Sequence, residues 1–200
     1  MTYTVLRVAE GGTIPLLHRH ASRLGAGALE LLERFEGEPG VYRVTFDGLQ
    51  LGVTRRPASR LREGMPTRVL VSPMAGRVGR FPKPAPPSPY DEVRLDGVAT
   101  LLTDARGDVL YESCSATLVA WDGASVVLTP EESPAVASLA EAAIAAHERV
   151  LRSPLLVASA WPLVLVNAVV GTCGVDTPGR LPFPVEVRAR LAALLAREDA

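Results

Sequence analysis

Phe81-Pro82-Lys83-Pro84-Ala85-Pro86-Pro87-Ser88-Pro89-Tyr90 decides how this chain is divided. Five prolines fall between Pro82 and Pro89. No helical or strand periodicity survives there, so residues 76–90 read as a stiff interdomain crossover. The same stretch holds the single lysine of the chain, Lys83, against twenty arginines. A lysine can do what an arginine cannot. Its ammonium can lose a proton and become an amine that forms a Schiff base with an aldehyde, whereas a guanidinium stays charged. Taken alone, a lysine in a proline-rich linker is more often a solvated surface residue, so its meaning depends on its surroundings.

Upstream, Tyr3 to Val8 alternate like a strand and Glu10-Gly11-Gly12 reads as a turn. Residues 14 to 35 place Leu17, Leu24, Ala28, Leu31, Leu32 and Phe35 at helical spacing. Val41–Phe46 and Leu49–Thr54, joined through Asp47-Gly48, carry the clearest hairpin signal, and Thr67 to Ser72 is a further strand. This predicts one helix on an antiparallel sheet, an α+β unit over residues 1–75. Beyond the crossover, strand-like runs fall at 99–103, 109–111, 116–121, 125–128, 155–160 and 163–169. Helices fit 134–151 and 185–197. Residues 91–200 therefore read as a mixed, barrel-like second domain.

Composition excludes several classes. The formal net charge is −1, with arginines and acids interspersed, so neither a nucleic-acid face nor a membrane-surface patch is expected. Cys114 and Cys173 lack CxxC spacing, and His18, His20 and His147 lack ligand spacing, so no metal site is expected. The cysteines read as buried apolar residues and His20 as a packing or capping residue. Residues 1–8 show no basic segment followed by an apolar run, as a signal peptide would. The apolar stretch from Pro154 to Gly171 is interrupted by Pro162 and Asn167, which suits two buried strands better than a membrane span. A soluble cytoplasmic protein is expected.

Four segments carry chemistry. They are His20-Ala21-Ser22-Arg23-Leu24, then Lys83 with Tyr90 seven residues on, then Tyr111-Glu112-Ser113-Cys114-Ser115-Ala116-Thr117, and finally Val166-Asn167-Ala168-Val169-Val170-Gly171. In this order they resemble the fold-type IV pyridoxal-phosphate enzymes, the group of branched-chain and D-amino-acid aminotransferases and aminodeoxychorismate lyase. His20–Leu24 matches the family's H-x-x-R-L, and Lys83 falls just after the crossover. Asp91 through Ser113 looks like its strand–turn–strand into E-x-x-S. The resemblance implies a two-domain fold of the D-amino-acid aminotransferase kind, a small α/β sandwich plus a barrel-like mixed domain.

The resemblance also implies pyridoxal 5'-phosphate as cofactor, a small amino-bearing substrate and a homodimer. Lys83 would form the Schiff base and carry protons at the substrate carbon, and Glu112 would face the pyridine nitrogen. Arg23 would pair with the phosphate. Backbone N–H groups at Val136 and Ala137, as a helix N-terminus after Pro134, and at Asn167 and Ala168 would cradle the same phosphate. Some positions depart from the pattern. Thr117 replaces the usual asparagine, Ser133-Pro134-Ala135-Val136-Ala137-Ser138 lacks the usual threonine and arginine, and Ala168 replaces a hydroxyl. Within the family the Lys83–Tyr90–Asp91 segment looks most like aminodeoxychorismate lyase. Amino-acid transamination and a non-catalytic relative are the alternatives. Arg43, Arg68 and Arg94 are all candidates for a substrate carboxylate.

Overall fold

The computed structural model describes residues 2–58, 61–82 and 88–199. Its first part runs β1 (Thr2–Val8), α1 (Leu17–Leu24), α2 (Ala28–Glu33), β2 (Gly40–Phe46) and β3 (Leu51–Arg56). The strands form an antiparallel sheet in the order β1-β2-β3. Strand alternation decides its two faces. Leu6, Val8, Tyr42, Val44 and Phe46 are buried against Leu17, Leu24, Ala28 and Leu32 of the helices. The opposite face carries Tyr3, Val5, Arg7, Val41, Arg43 and Thr45. The register sets Val5 beside Arg43 beside Thr54, and Arg7 beside Val41 beside Arg56.

The hairpin turn forms because the Asp47 carboxylate accepts from the N–H groups of Leu49 and Gln50, each at 2.9 Å, and Gly48 takes φ 105. The continuous helix expected over 14–35 is two short helices. Gly25 (φ 121) and Gly27 (φ 86) break it. The apolar spacing persists through the break because both pieces bury the same face on one sheet.

The larger sheet is built from β4 (Met65–Val71), then, after the single-turn helix α3 (Pro89–Glu92), from β5 (Ala99–Thr103), β6 (Val109–Ser113), β7 (Thr117–Trp121) and β8 (Val126–Leu128). Helix α4 (Leu139–His147) precedes β9 (Val150–Arg152), β10 (Leu155–Leu156), β11 (Leu163–Asn167) and β12 (Gly171–Asp176), and α5 (Val185–Leu195) follows. The strand order is β10-β6-β5-β4-β12-β11-β7-β8-β9, curled into a half-barrel. Pairs β4–β5, β4–β12 and β8–β9 are parallel. The architecture is therefore mixed α+β, as the sequence suggests. Alternation again sorts the core. Val119, Val164 and Val166 pack with Ile144, Leu191 and Leu195 of α4 and α5, while Leu118, Ala120, Leu163 and Leu165 pack inside the curl with Leu101 and Leu110. Among the described residues no helix is long and apolar enough to cross a membrane.

Further elements differ from the sequence expectation, among them the strand expected over 155–160, which is only β10. Strand β4, expected in the first sheet, pairs in the larger one; a period of two specifies a strand but not its partner. The helix expected over 134–151 is α4 alone. Val136 is extended and bridges to Phe81, and Ser138 caps α4 by accepting from the Glu141 N–H at 3.3 Å. Past Glu148 the chain turns extended and joins β8 as β9. Strand β12 is not among the strands expected from the sequence, because its glycines weaken the strand signal.

Leu16 fastens the small sheet to the rest. It precedes α1 in the left-handed region at φ 57. Its N–H donates to the Arg197 carbonyl at 2.7 Å, and its side chain is fully buried among Leu128, Ile144 and Leu191. Leu16→Ala is expected to destabilise the protein by about 2–5 kcal/mol, the usual range for truncating a buried leucine. Urea unfolding measures it, and a loss below 1 kcal/mol would show that the site collapses around the gap.

Candidate active site

A cleft of about 400 Å³ lies between the outer face of the small sheet and the half-barrel. Tyr3 and Val5 of β1, Arg23 of α1, Val41 and Arg43 of β2 and Arg56 of β3 form one wall. Glu112, the turn after β6, residues 136–139 and residues 167–169 form the other. The described residues singled out by sequence, Arg23, Glu112, Val136, Ala137, Asn167 and Ala168, all line this one cleft. Lys83 lies outside the described residues. Both flanks of its stretch are fastened at the cleft. Phe81 donates its N–H to the Ala135 carbonyl at 3.1 Å and accepts from the Ala137 N–H at 2.8 Å, and on the far side Tyr90 reaches Glu112.

Glu112 sits on β6, where inward alternation buries it beside Leu110. The Tyr90 hydroxyl donates to its Oε1 at 2.5 Å and the Val136 N–H donates to its Oε2 at 3.0 Å. Burial pushes this carboxyl up to about 7, against the opposing pull of the Tyr90 and Val136 hydrogen bonds and of Arg80. Burial also holds the Tyr90 phenol well above its ordinary value, helped by the negative charge of Glu112.

Arg23 is half-buried at the other end of the same short segment, where its guanidinium donates to the Ala137 carbonyl. Burial lowers its pKa. Among the described residues no carboxylate forms an ion pair with it. Residues 136 and 137 thus join a carboxylate and an unneutralised cation across one peptide unit. His20, one turn before Arg23, serves structure. Its Nδ1 lies 2.7 Å from Thr4 Oγ1, and burial with the nearby Arg23 charge drives it down to about 3, keeping it neutral.

The phosphate cradle expected from backbone N–H groups differs in detail. The Val136 N–H is held by Glu112 and the Ala137 N–H by Phe81, so neither is free to meet an anion. The helix N-terminus that opens on the cleft is Ser138–Leu139 instead, because Val136 extends to bridge Phe81 and defers the helix start. At the other turn, Asn167 Oδ1 accepts from the Val169 and Val170 N–H groups at 2.9 and 2.8 Å, and its Nδ2 donates to the Ser115 carbonyl at 3.0 Å. Asn167 therefore works as a brace between two cleft turns. Ser113 shapes the turn after β6, its Oγ accepting from the Ala116 N–H at 2.9 Å. Burial pushes the Cys114 thiol up to about 11, which removes it as a nucleophile.

Of the three arginines left open for a carboxylate, Arg43 faces the cleft. Its guanidinium lies 5.1 Å from the centre of the Tyr3 ring, and its buried Nε has no hydrogen-bond partner. Arg68 is occupied by Thr100 Oγ1 and the Val93 carbonyl at 2.9 and 2.6 Å. Arg94 lines the cleft edge but is paired with Asp91 at 3.0 Å. Sequence reasoning missed Arg56, Tyr3, Val5 and Ser138. The alternation of β1 and β2 marks Tyr3, Val5 and Arg43 as one face, but the register that adds Arg56 is a tertiary fact.

No protein-family description and no curated protein matches the sequence. Solved structures do match. A 4-amino-4-deoxychorismate lyase from Pseudomonas aeruginosa superposes with a TM-score of 0.64 at 15% identity, over 97% of this chain and 89% of that one. A protein described as a hypothetical aminotransferase from Mycobacterium tuberculosis, solved with PLP bound, gives a TM-score of 0.64 at 17% identity, over 100% of this chain and 89% of that one. The fold is that of the fold-type IV enzymes, as the order of the sequence motifs suggests.

The buried carboxyl has a measurable signature. Its folded pKa of about 7 lies above its ordinary 4.5, so the folded state binds the proton more tightly. Its contribution to stability is full below pH 4.5 and is lost as pH rises through 7. The stability difference between wild type and Glu112→Gln should therefore shift against wild type over that window, by up to about 3 kcal/mol. Urea unfolding of both proteins at several pH values measures it, and a pH-independent difference contradicts the assignment.

Proposed function

We propose that this protein binds pyridoxal 5'-phosphate in the cleft and acts on an amine that carries carboxylates, with 4-amino-4-deoxychorismate as the preferred substrate, giving 4-aminobenzoate and pyruvate. The observation that carries this reading is the pairing of Glu112 and Arg23 across residues 136–137, with both flanks of the Lys83 stretch fastened beside them. The donor set fits the cofactor. A buried acceptor suits the ring nitrogen, and an unneutralised guanidinium with the Ser138–Leu139 helix start suits a phosphate dianion.

Bound there, the cofactor supplies an aldehyde and an electron-withdrawing ring. The chain supplies the rest. Glu112 holds a proton at the ring nitrogen through Oε1 or Oε2, each of which keeps acceptor capacity beyond its present donor. Arg23 binds the phosphate. Lys83, the chain's one side-chain amine, would supply the amine for the cofactor's aldehyde and would carry the proton to and from the substrate carbon. Arg43 and Arg56, which form no ion pair among the described residues, face the cleft where a substrate carboxylate would sit. Two such cations suit a substrate with two carboxylates. A homodimer is carried over from the family resemblance. Amino-group transfer to a 2-oxo acid is the second reading, favoured by the equal likeness to the Mycobacterium tuberculosis protein.

After loading with pyridoxal phosphate and removal of the free cofactor, the protein should keep a visible absorption band that borohydride converts to a covalent label on the chain, and Lys83→Ala should take no label. The absence of a band from wild type overturns the reading. Arg23→Gln should weaken binding of pyridoxal phosphate by roughly 10- to 100-fold and leave pyridoxal nearly unaffected, the usual worth of a charge-assisted hydrogen bond. Equal losses for both ligands would show that Arg23 only packs. Release of pyruvate without a 2-oxo acid supports the lyase, and a strict need for one supports the transferase.

A further inference from the structure

Tyr90 is tied down from every side that the fold offers. Its ring is buried with Met74, Phe81 and Leu102. Its helix α3 starts at Ser88, whose N–H and Oγ both donate to Asp91 Oδ2, at 2.9 and 3.2 Å, and Asp91 is paired with Arg94 at 3.0 Å. The one polar atom of the side chain goes to Glu112. Glu112 in turn has no cation in contact among the described residues. The charged and titratable groups around it are Arg80 from the crossover segment, Glu141 from α4, and Cys114 just past its own strand. Leu102, opposite it on β5, is apolar. Arg80 is itself held by Glu141 Oε1 at 2.7 Å and by Thr129, so its charge is largely answered before it reaches Glu112. Two neutral donors, Tyr90 and the Val136 N–H, are what the fold gives a carboxylate that burial would otherwise leave protonated.

We propose that Tyr90 is a positioning residue for Glu112: its hydroxyl fixes the carboxylate toward the cleft and keeps it an anion, ready to hold the ring nitrogen of the cofactor. The cofactor half rests on the function proposed above; the coupling of Tyr90 to Glu112 stands without it. The phenol suits the task because it stays protonated across the working pH range and so remains a donor. It also lies seven residues beyond Lys83, so one hydroxyl connects the far flank of the lysine stretch to the carboxylate.

The test follows Glu112 directly in the protein without cofactor, by the carbon chemical shift of its labelled carboxyl, assigned through Glu112→Gln. Tyr90→Phe keeps the ring and removes the donor. The Glu112 midpoint should rise from about 7 by about 1 pH unit. Replacing the tyrosines by 3-fluorotyrosine acidifies the phenol and strengthens the donor, so the midpoint should fall. A midpoint unmoved by either change overturns the proposal. If Tyr90→Phe does not fold, the fluorotyrosine protein decides alone, and a midpoint that stays or rises overturns the proposal. With pyridoxal phosphate as the probe, the pH profile of the visible band should move upward in Tyr90→Phe as well. A band whose profile stays fixed while the Glu112 midpoint moves overturns the cofactor half. If wild type gives no band at all, the function proposed above fails, whereas the midpoint shift still reports the coupling.

Discussion

Burying one carboxylate is the constraint around which the cleft is arranged. A carboxylate on the inward side of β6 loses its water, and the fold must return donors to it or leave it neutral. Those donors come from two separate places, Tyr90 on α3 and the backbone of Val136. Meeting this need draws residues 135–137 out of a helical path and into a bridge with Phe81. That bridge fastens the near flank of the lysine stretch, and Tyr90 fastens the far flank. A single electrostatic requirement thereby brings β6, the crossover and the approach to α4 to one place.

The opposite wall is arranged by packing. The small sheet buries one face on its own two helices, and alternation turns Tyr3, Val5 and Arg43 outward. Leu16 then docks that unit by inserting among side chains of α4, α5 and β8, so the arginine-bearing face stands over Glu112. The result is a cleft with a buried acceptor on one wall and, on the other, guanidinium groups that form no ion pair among the described residues. Such a distribution favours a ligand with anionic ends and a protonatable ring between them. Among the described residues, Arg80–Glu141–Arg152 shows the contrasting case of part-buried guanidinium groups paired with a carboxylate inside the fold.

Local signals in the sequence reported local structure faithfully. The Asp47-Gly48 hairpin, the alternation of β1 and β2, and the apolar runs of β5, β7 and β11 all follow from side-chain period and turn chemistry. The failures share one cause. Gly25 and Gly27 split a helix whose apolar spacing never changes, because two helices on one sheet face leave the same trace as one. Val136 abandons a helical start for a partner fifty-five residues earlier, and β12 forms despite its glycines because β11 and β4 offer ladders on both sides. Each outcome depends on a distant partner, and no window of sequence contains it.

The same division holds for the site. Sequence by itself determined which residues have the chemistry: one side-chain amine in the chain, an E-x-x-S turn, an H-x-x-R-L helix, and an asparagine before a small-residue turn. Their order was enough to suggest the fold and the role of each. Only the tertiary structure decided which atoms are still free to act. It occupied the Val136 and Ala137 N–H groups, moved the helix start to Ser138, answered Arg68 and Arg94, and left Arg23, Arg43 and Arg56 facing the cleft. The physical reason is that reactivity at a buried site depends on which hydrogen bonds and charges are already satisfied. That is settled by neighbours far away in the chain, whereas the identity of the reactive group is written in the chain itself.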